Sequence, residues 1–188
     1  MTPPEPKTCL HWPGATVWLT GLPSAGKTSI ALAVAEPLRA AGRRVEVLDG
    51  DVARGLLSAG LGFSKEDRDA NVQRIGLVAE VLARNGVTVL VPVIAPYASS
   101  REVVRLRHEL TNTPYLEVHV ATPVEVCSVR DVKGLYAMQA AGEISNLTGV
   151  DDPYEAPVAP DLHIETSHQS VAESAAAVQE LLAARGLA

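Results

Sequence analysis

One eight-residue segment constrains this chain more than anything else in it. Gly21-Leu22-Pro23-Ser24-Ala25-Gly26-Lys27-Thr28 follows a short β-branched run at 15–20 and opens a stretch, 27–41, whose helical periodicity stops at Gly42. The pattern is Gly-x4-Gly-Lys-Thr between a strand and a helix, the context in which such a segment binds phosphate. The glycines let the backbone wrap so that successive N–H groups face inward, toward an anion. The helix N-terminus adds its partial positive charge. Read this way, Gly21, Leu22, Pro23, Ser24, Ala25, Gly26, Lys27, Thr28 and Ser29 hold the phosphates of ATP. The Lys27 ammonium reaches the β/γ-phosphates, and the Thr28 hydroxyl ligates Mg²⁺. The bland alternative is a chance match in an ordinary strand–turn–helix.

The rest of the chain alternates as such a loop demands. Residues 44–48 read as a second strand, ending in Asp49-Gly50-Asp51. Ser64-x-x-Asp67 opens a helix that runs to about Asn85-Gly86. The run 87–94 is almost continuously apolar, as a parallel strand buried on both faces should be. A helix over 99–110 and a strand over 115–120 follow. Thr122 then stands as an N-cap, with Pro123 in the first helical position and Glu125 completing a capping box. A short strand over 162–165 and a helix opened by Ser170-x-x-Glu173 close the chain. This order predicts an α/β, three-layer fold, a mainly parallel sheet with helices on both faces. Ligands then sit at the carboxyl ends of the strands. Residues 14–188 read as a single domain, and 1–13, with four prolines, as a flexible N-terminal arm whose Trp12 pins its end to the domain.

Charge and cysteine usage narrow the partners. A net charge of −6 makes the chain a poor ligand for nucleic acid or an anionic membrane. No apolar run approaches the ~20 residues of a membrane span, and 1–13 has no signal-peptide core. Cys9 and Cys127 match no zinc or redox spacing and read as free thiols in a reducing cytoplasm. The histidines, His11, His108, His119, His163 and His168, share no ligand spacing and read as structural or exposed.

What the loop is used for is narrowed by where the acids lie. A guanine-reading Asn-Lys-x-Asp tetrapeptide is absent, and no acid closes the apolar strand at Pro92-Val93-Ile94 as a motor ATPase would require. The carboxylates sit instead at Asp49 and Asp51, on the second strand. That suits a small-molecule kinase, where a carboxylate meets an acceptor hydroxyl opposite the γ-phosphate. Asp49 and Asp51, with Lys27, are the catalytic candidates, and Arg54 is placed to grip an anionic acceptor. Phe63, the only Phe in the chain, precedes a helix on which Arg68, Asn71 and Arg74 are spaced three apart and share a face. The competing readings are a core Phe and a solvated helix face. Of the arginines that follow Tyr97, Arg101 is the one expected to look into the site.

Together these residues resemble the adenylylsulfate kinase (APS kinase) family of P-loop kinases. The resemblance rests on the loop at 21–28, Asp49-Gly50-Asp51 with Arg54, Leu61-Gly62-Phe63-Ser64, and Asp67-Arg68 with Asn71. It continues through Ile94-x-Pro96-Tyr97 with Arg101, Arg130-Asp131-x-Lys133-Gly134-Leu135-Tyr136 and Thr148-Gly149-Val150-Asp151-Asp152-Pro153-Tyr154-Glu155-Ala156-Pro157. It covers nearly the whole chain from Gly14 on. It implies a three-layer P-loop kinase fold with a mobile lid at about 133–157. The implied reaction turns ATP and adenylyl sulfate into ADP and 3′-phosphoadenylyl sulfate, with Mg²⁺. By position, Asp51 would orient or deprotonate the ribose 3′-hydroxyl, and Arg54, Arg68 and Asn71 would hold the acceptor. Phe63 would stack on its adenine, Ile94, Ala95, Lys133 and Leu147 would complete its site, and Arg130 would line the adenine of ATP.

The resemblance also implies a homodimer and a separate upstream sulfate adenylyltransferase. Two departures stand out. Ala95 replaces a Ser common in the family, so no phosphoenzyme can form there and transfer should be direct. Leu147 replaces a common Phe, so the second face on the acceptor adenine would be aliphatic. The competing functions are a P-loop kinase for another small anionic nucleotide or sugar, and a nucleotide-binding regulatory module without turnover. Intact Lys27, Thr28, Asp49 and Asp51 argue against the module.

Overall fold

The computed structural model describes residues 13–188. The expected arm, with Cys9, His11 and Trp12, lies outside the described residues except for Pro13. The strands are β1 (Ala15–Thr20), β2 (Val45–Val47), β3 (Thr88–Pro92), β4 (Tyr115–Val120) and β5 (Leu162–Ile164). They form one sheet in the order β2-β3-β1-β4-β5, and every pairing is parallel. The helices are α1 (Lys27–Ala40), α2 (Gly50–Leu57), α3 (Lys65–Arg84), α4 (Ala98–Leu110), α5 (Val124–Arg130), α6 (Leu135–Ala140) and α7 (Val171–Ala184).

Strand pleating sorts the side chains into two cores. Val17 of β1 lies beside Leu90 and Leu116, and all three join the core under α1 and α7. Trp18, one residue on, lies beside Val91 in the opposite core, under α3 and α4. Covering both faces buries all six residues of β1, which is why β1 and β3 read as apolar runs without alternation. Each large aliphatic side chain so buried contributes about 1.5–3 kcal/mol.

Two of the expected helix starts form as written. Ser64 Oγ accepts from Asp67 N at 3.1 Å, and Ser170 and Glu173 form a reciprocal capping box. The third does not. Pro123 occupies the N-cap of α5, without a side-chain cap bond. The Thr122 hydroxyl turns away to the carbonyl of Ala25, 3.0 Å off. A buried carbonyl of the phosphate loop takes the hydroxyl that local pattern assigned to the helix. Two helices were not expected from the sequence. Gly50 and Gly55 weaken the helical pattern of α2, and α6 is only six residues long.

Because all five strands run the same way, their carboxyl ends share one edge. The phosphate loop, Asp49, Ile94, Ala121 and Glu165 follow β1, β2, β3, β4 and β5 there. Among the described residues no helix is long and apolar enough to cross a membrane.

Candidate active site

A cleft of about 880 Å³ opens along that edge. Its wall includes Pro23 through Ser29 of the loop, Asp49, Asp51, Arg54, Phe63, Arg68, Asn71, Ile94, Ala95, Arg130 and Lys133. Residues as far apart in sequence as Pro23 and Ser174 therefore meet in one place. Gly21 and Leu22 lie behind the wall, with their carbonyls accepting from Lys27 Nζ at 2.8 and 2.7 Å. Leu147 is not on the wall. It is 6% exposed and packs into the core that includes Val120, Tyr136 and Leu116. The aliphatic face expected there is not presented to the cleft.

The loop side is built from backbone. Gly21 and Gly26 have φ of +153° and +104°, and Ser24 sits at +60°. A Cβ disfavours that region, so glycine is the natural occupant at Gly26. Gly26 is also the N-cap of α1, with no side-chain cap. The first N–H groups of α1 thus face the cleft free of any capping side chain, with the positive end of the helix behind them. Lys27 is only 8% exposed, and burial is the main cause that brings its pKa down to about 8. Lys133 presses in the same direction, while Asp51 and Asp49 oppose it.

At the mouth, Thr28 Oγ1 donates to Asp49 Oδ2 at 2.9 Å. The other oxygen of Asp49 accepts from the N–H of Asp51 at 2.9 Å and caps α2. Asp49 is thereby engaged on both oxygens. Asp51 differs. Its side chain is 70% exposed and meets Lys133 Nζ across the cleft.

The facing side is built from side chains. Phe63 is 61% exposed, so this lone aromatic is not a core residue. Two guanidiniums flank its ring, Arg54 at 4.4 Å and Arg68 at 5.7 Å from the centroid. Arg54 Nη1 donates to the carbonyl of Gly62 at 2.7 Å. Burial lowers the pKa of Arg54, and the charge of Arg68 adds to that. Arg68 is 7% exposed and holds the segment after α6, donating to Asn146 O at 2.5 Å and Thr148 Oγ1 at 2.6 Å. Asn71 is 6% exposed, and its amide oxygen is buried without a hydrogen-bond partner. Arg74, on the same face in the sequence reading, is exposed and bonds Leu57 O at 2.9 Å instead.

Ala95 sits at φ +43°, 2% exposed, on the cleft wall. Its carbonyl accepts from Arg101 Nη1 at 2.7 Å. Arg101 also donates to Glu117 Oε1 at 2.8 Å and to Glu155 O at 2.7 Å. The expectation that Arg101 looks into the site is corrected: it is 4% exposed and braces the turn that does. Among the described histidines, His163 and His168 are exposed and the other two are structural. His108 bonds Thr16 and Val104 O, and His119 stacks on Tyr154, with burial bringing its pKa down to about 4. Cys127 is a buried free thiol.

Sequence reasoning missed Thr166, whose hydroxyl lies 3.0 Å from Ala25 O and accepts from Arg130 Nη1 at 2.7 Å. Nothing in its local pattern distinguishes it from any strand-end threonine. Ser170 and Val171, at the start of α7, also line the cleft.

The arrangement suits a polyphosphate on one wall and a flat, anionic molecule on the other, with a carboxylate between them. Comparison with known proteins points to a family. The family model described as adenylylsulphate kinase matches residues 13–165. A probable adenylyl-sulfate kinase of Synechocystis is 52% identical over 90% of this chain and 93% of its own length. One from Pseudomonas aeruginosa is 52% identical over 88% of this chain and 75% of its own. Among solved structures, the Mycobacterium tuberculosis APS kinase CysC in complex with AMPPNP and APS superposes with a TM-score of 0.88. It is 45% identical, over 90% of this chain and 98% of that one.

Proposed function

The chain belongs to the adenylylsulphate kinase family, and on that premise we propose the reaction and the roles of its residues. It phosphorylates adenylyl sulfate at the expense of ATP, giving 3′-phosphoadenylyl sulfate and ADP. The observation that carries this reading is the placement of Phe63, exposed between Arg54 and Arg68, across the cleft from the phosphate loop. The ring offers a stacking face to a base, and the guanidiniums offset the acceptor's charge in a protein whose net charge is −6.

The residue roles follow. The loop amides and Lys27 hold the triphosphate and meet charge as it develops on the transferring group. Arg130, on the cleft wall, lines the base of ATP. Asp51 orients the ribose 3′-hydroxyl and takes its proton, because its carboxylate is free of the helix-capping that occupies Asp49. Arg54, Arg68 and Asn71 hold the acceptor, with the unpartnered amide oxygen of Asn71 open to one hydrogen bond from it. Ile94 and Ala95 form the floor. Transfer is direct, since Ala95 has no hydroxyl to carry a phosphoryl group. Residues 133–157 act as a lid, with Lys133 reaching over the cleft to Asp51.

Mg²⁺ fits the mouth of the site. Thr28 and Asp49 bring a hydroxyl and a carboxylate together there, the hard oxygen donors this cation prefers. Bound with the nucleotide, it would supply charge neutralisation on the phosphates. A homodimer, a cytoplasmic location and a sulfate adenylyltransferase as a separate upstream enzyme complete the proposal, and rest on the family resemblance and the thiol usage.

The test is ADP release across an acceptor panel of adenylyl sulfate, AMP and small sugars. Adenylyl sulfate at low micromolar concentration should be turned over in preference to all others. Preference for a sugar or for AMP would refute this acceptor.

A further inference from the structure

The phosphate loop is held from behind by a device that no motif describes. The carbonyl of Ala25, 0% exposed as a residue, lies 3.0 Å from both Thr122 Oγ1 and Thr166 Oγ1. The two hydroxyls are 2.6 Å apart. Each hydroxyl carries one proton, so the pair cannot bond the carbonyl twice and each other as well. Two of the three contacts are therefore hydrogen bonds, and Arg130 adds donors to the group, its Nη1 also lying 3.4 Å from the carbonyl of Ala25. Its Nη1 donates to Thr166 Oγ1 at 2.7 Å and its Nη2 to Thr166 O at 2.8 Å. Thr166 can donate to Thr122 and Thr122 to the carbonyl of Ala25, or Thr166 can donate to that carbonyl itself. In either order the chain of donors starts at a permanent cation and ends on the loop carbonyl, which makes the last bond stronger than a neutral one.

The carbonyl of Ala25 and the N–H of Gly26 belong to one peptide. That unit is planar and trans, so the two groups point in opposite directions. Holding the carbonyl toward the threonines aims the Gly26 N–H across the loop, where the amides of such a motif must converge on a phosphate. The peptide needs holding. Gly26 sits at φ +104°, and glycine has access to several other backbone wells. The Thr166 methyl also closes on this glycine, 3.8 Å from where a Cβ would stand.

We propose that Thr122 and Thr166, tied to Arg130, are positioning residues that lock the Ala25–Gly26 peptide in its phosphate-binding orientation. The inference rests on ATP being the donor. It makes the ends of β4 and β5 part of the donor site, with Thr166 on the cleft wall and Thr122 behind it. It also gives Arg130 a second duty beside the base.

The experiment removes each hydroxyl and keeps its shape. Thr166→Val, Thr122→Val and Thr166→Ser are compared with the wild type by calorimetric titration with MgATP, by two-substrate kinetics and by thermal melting. Expected for both Val variants is a 5- to 20-fold weaker Kd and a raised KM for ATP, with the KM for adenylyl sulfate within twofold and Tm nearly unchanged. Thr166→Ser should restore ATP affinity to within twofold. ATP affinity within twofold of wild type in both Val variants overturns the proposal. So does a loss shared equally between the two substrates and Tm, since that marks a merely structural pair. The ATP titration needs no acceptor. A wild type that binds ATP but ignores adenylyl sulfate would therefore sink the acceptor reading while the anchor is still judged by its own result.

Discussion

The two walls of the cleft are built by different means. The donor wall is backbone: amides of a loop with φ of +153° and +104° at its glycines, a helix start without a capping side chain, and one buried lysine. The acceptor wall is side chain: Phe63 at 61% exposure, Asp51 at 70%, and two arginines bonded to neighbouring carbonyls. A backbone wall recognises what every nucleoside triphosphate shares. A side-chain wall can select one acceptor, and its exposed members, Phe63 and Asp51, can be changed without disturbing the fold. The donor wall should therefore respond to substitution in kcat and in ATP, and the acceptor wall in the KM of adenylyl sulfate.

The largest effect is expected at Lys27. Lys27→Ala removes a cation buried against the loop and should lower kcat at least 10²-fold, about 2.7 kcal/mol or more. Steady-state turnover near the wild-type rate would break the donor half of the comparison.

Next comes the carboxylate between the walls. Asp51→Asn should cost roughly 10²-fold in kcat, as loss of a proton acceptor does, with Tm unchanged because the side chain is 70% exposed. Asp49→Ala should lower Tm as well, through the ~0.5–2 kcal/mol of stability that a lost N-cap costs. Equal losses of Tm in the two variants would erase the distinction drawn between the two acids.

On the acceptor wall, Phe63→Ala should raise the KM of adenylyl sulfate about 5- to 100-fold, since one base–aromatic stack is worth ~1–3 kcal/mol. The KM for ATP should move less. A two-substrate kinetic matrix reads both, and an unmoved acceptor KM would return Phe63 to an idle surface residue.

The smallest effect is in pH. Burial holds Lys27 near 8 in the empty enzyme, below its ordinary 10.5. The ammonium is the form that meets phosphate, so kcat/KM for ATP should fall as pH rises through about 8, roughly fivefold between pH 8 and 9. Bound triphosphate favours the ammonium, so kcat should hold to higher pH. In stability the sign is opposite. Burying the protonated lysine costs free energy, and that cost fades as pH rises from about 8 to 10.5. A kcat/KM for ATP that stays flat to pH 9 would show that the lysine is not desolvated.

Much of this was legible in the sequence, for reasons particular to each part. β1 and β4 match their expected bounds because their β-branched and apolar residues leave a plain trace between turns, and Ser64 and Ser170 mark their helices because a cap is a local bond. The loop was legible because its conformation requires glycine at fixed places. What could not be read is what depends on distant partners. Thr122 looked like a cap until Ala25, 97 positions away, took its hydroxyl. Arg101 looked like a site residue until Glu117 and the Ala95 turn claimed it. Leu147 looked like a cleft residue and is packed in the core. Thr166 gave no signal at all. Phe63 ran the other way: a lone aromatic favours the core, and here only the flanking Arg54 and Arg68 pointed outward.

The central claim is direct transfer from the donor wall to the acceptor wall. It is tested most directly by following the γ-phosphoryl group in a single turnover with γ-labelled ATP, quenched on the millisecond scale. The account predicts that label passes from ATP to the 3′-oxygen of adenylyl sulfate, located by phosphorus NMR of the product, and that protein incubated with ATP alone stays unlabelled. Stoichiometric label on the protein that chases into adenylyl sulfate, or label at any other position of the product, would contradict it.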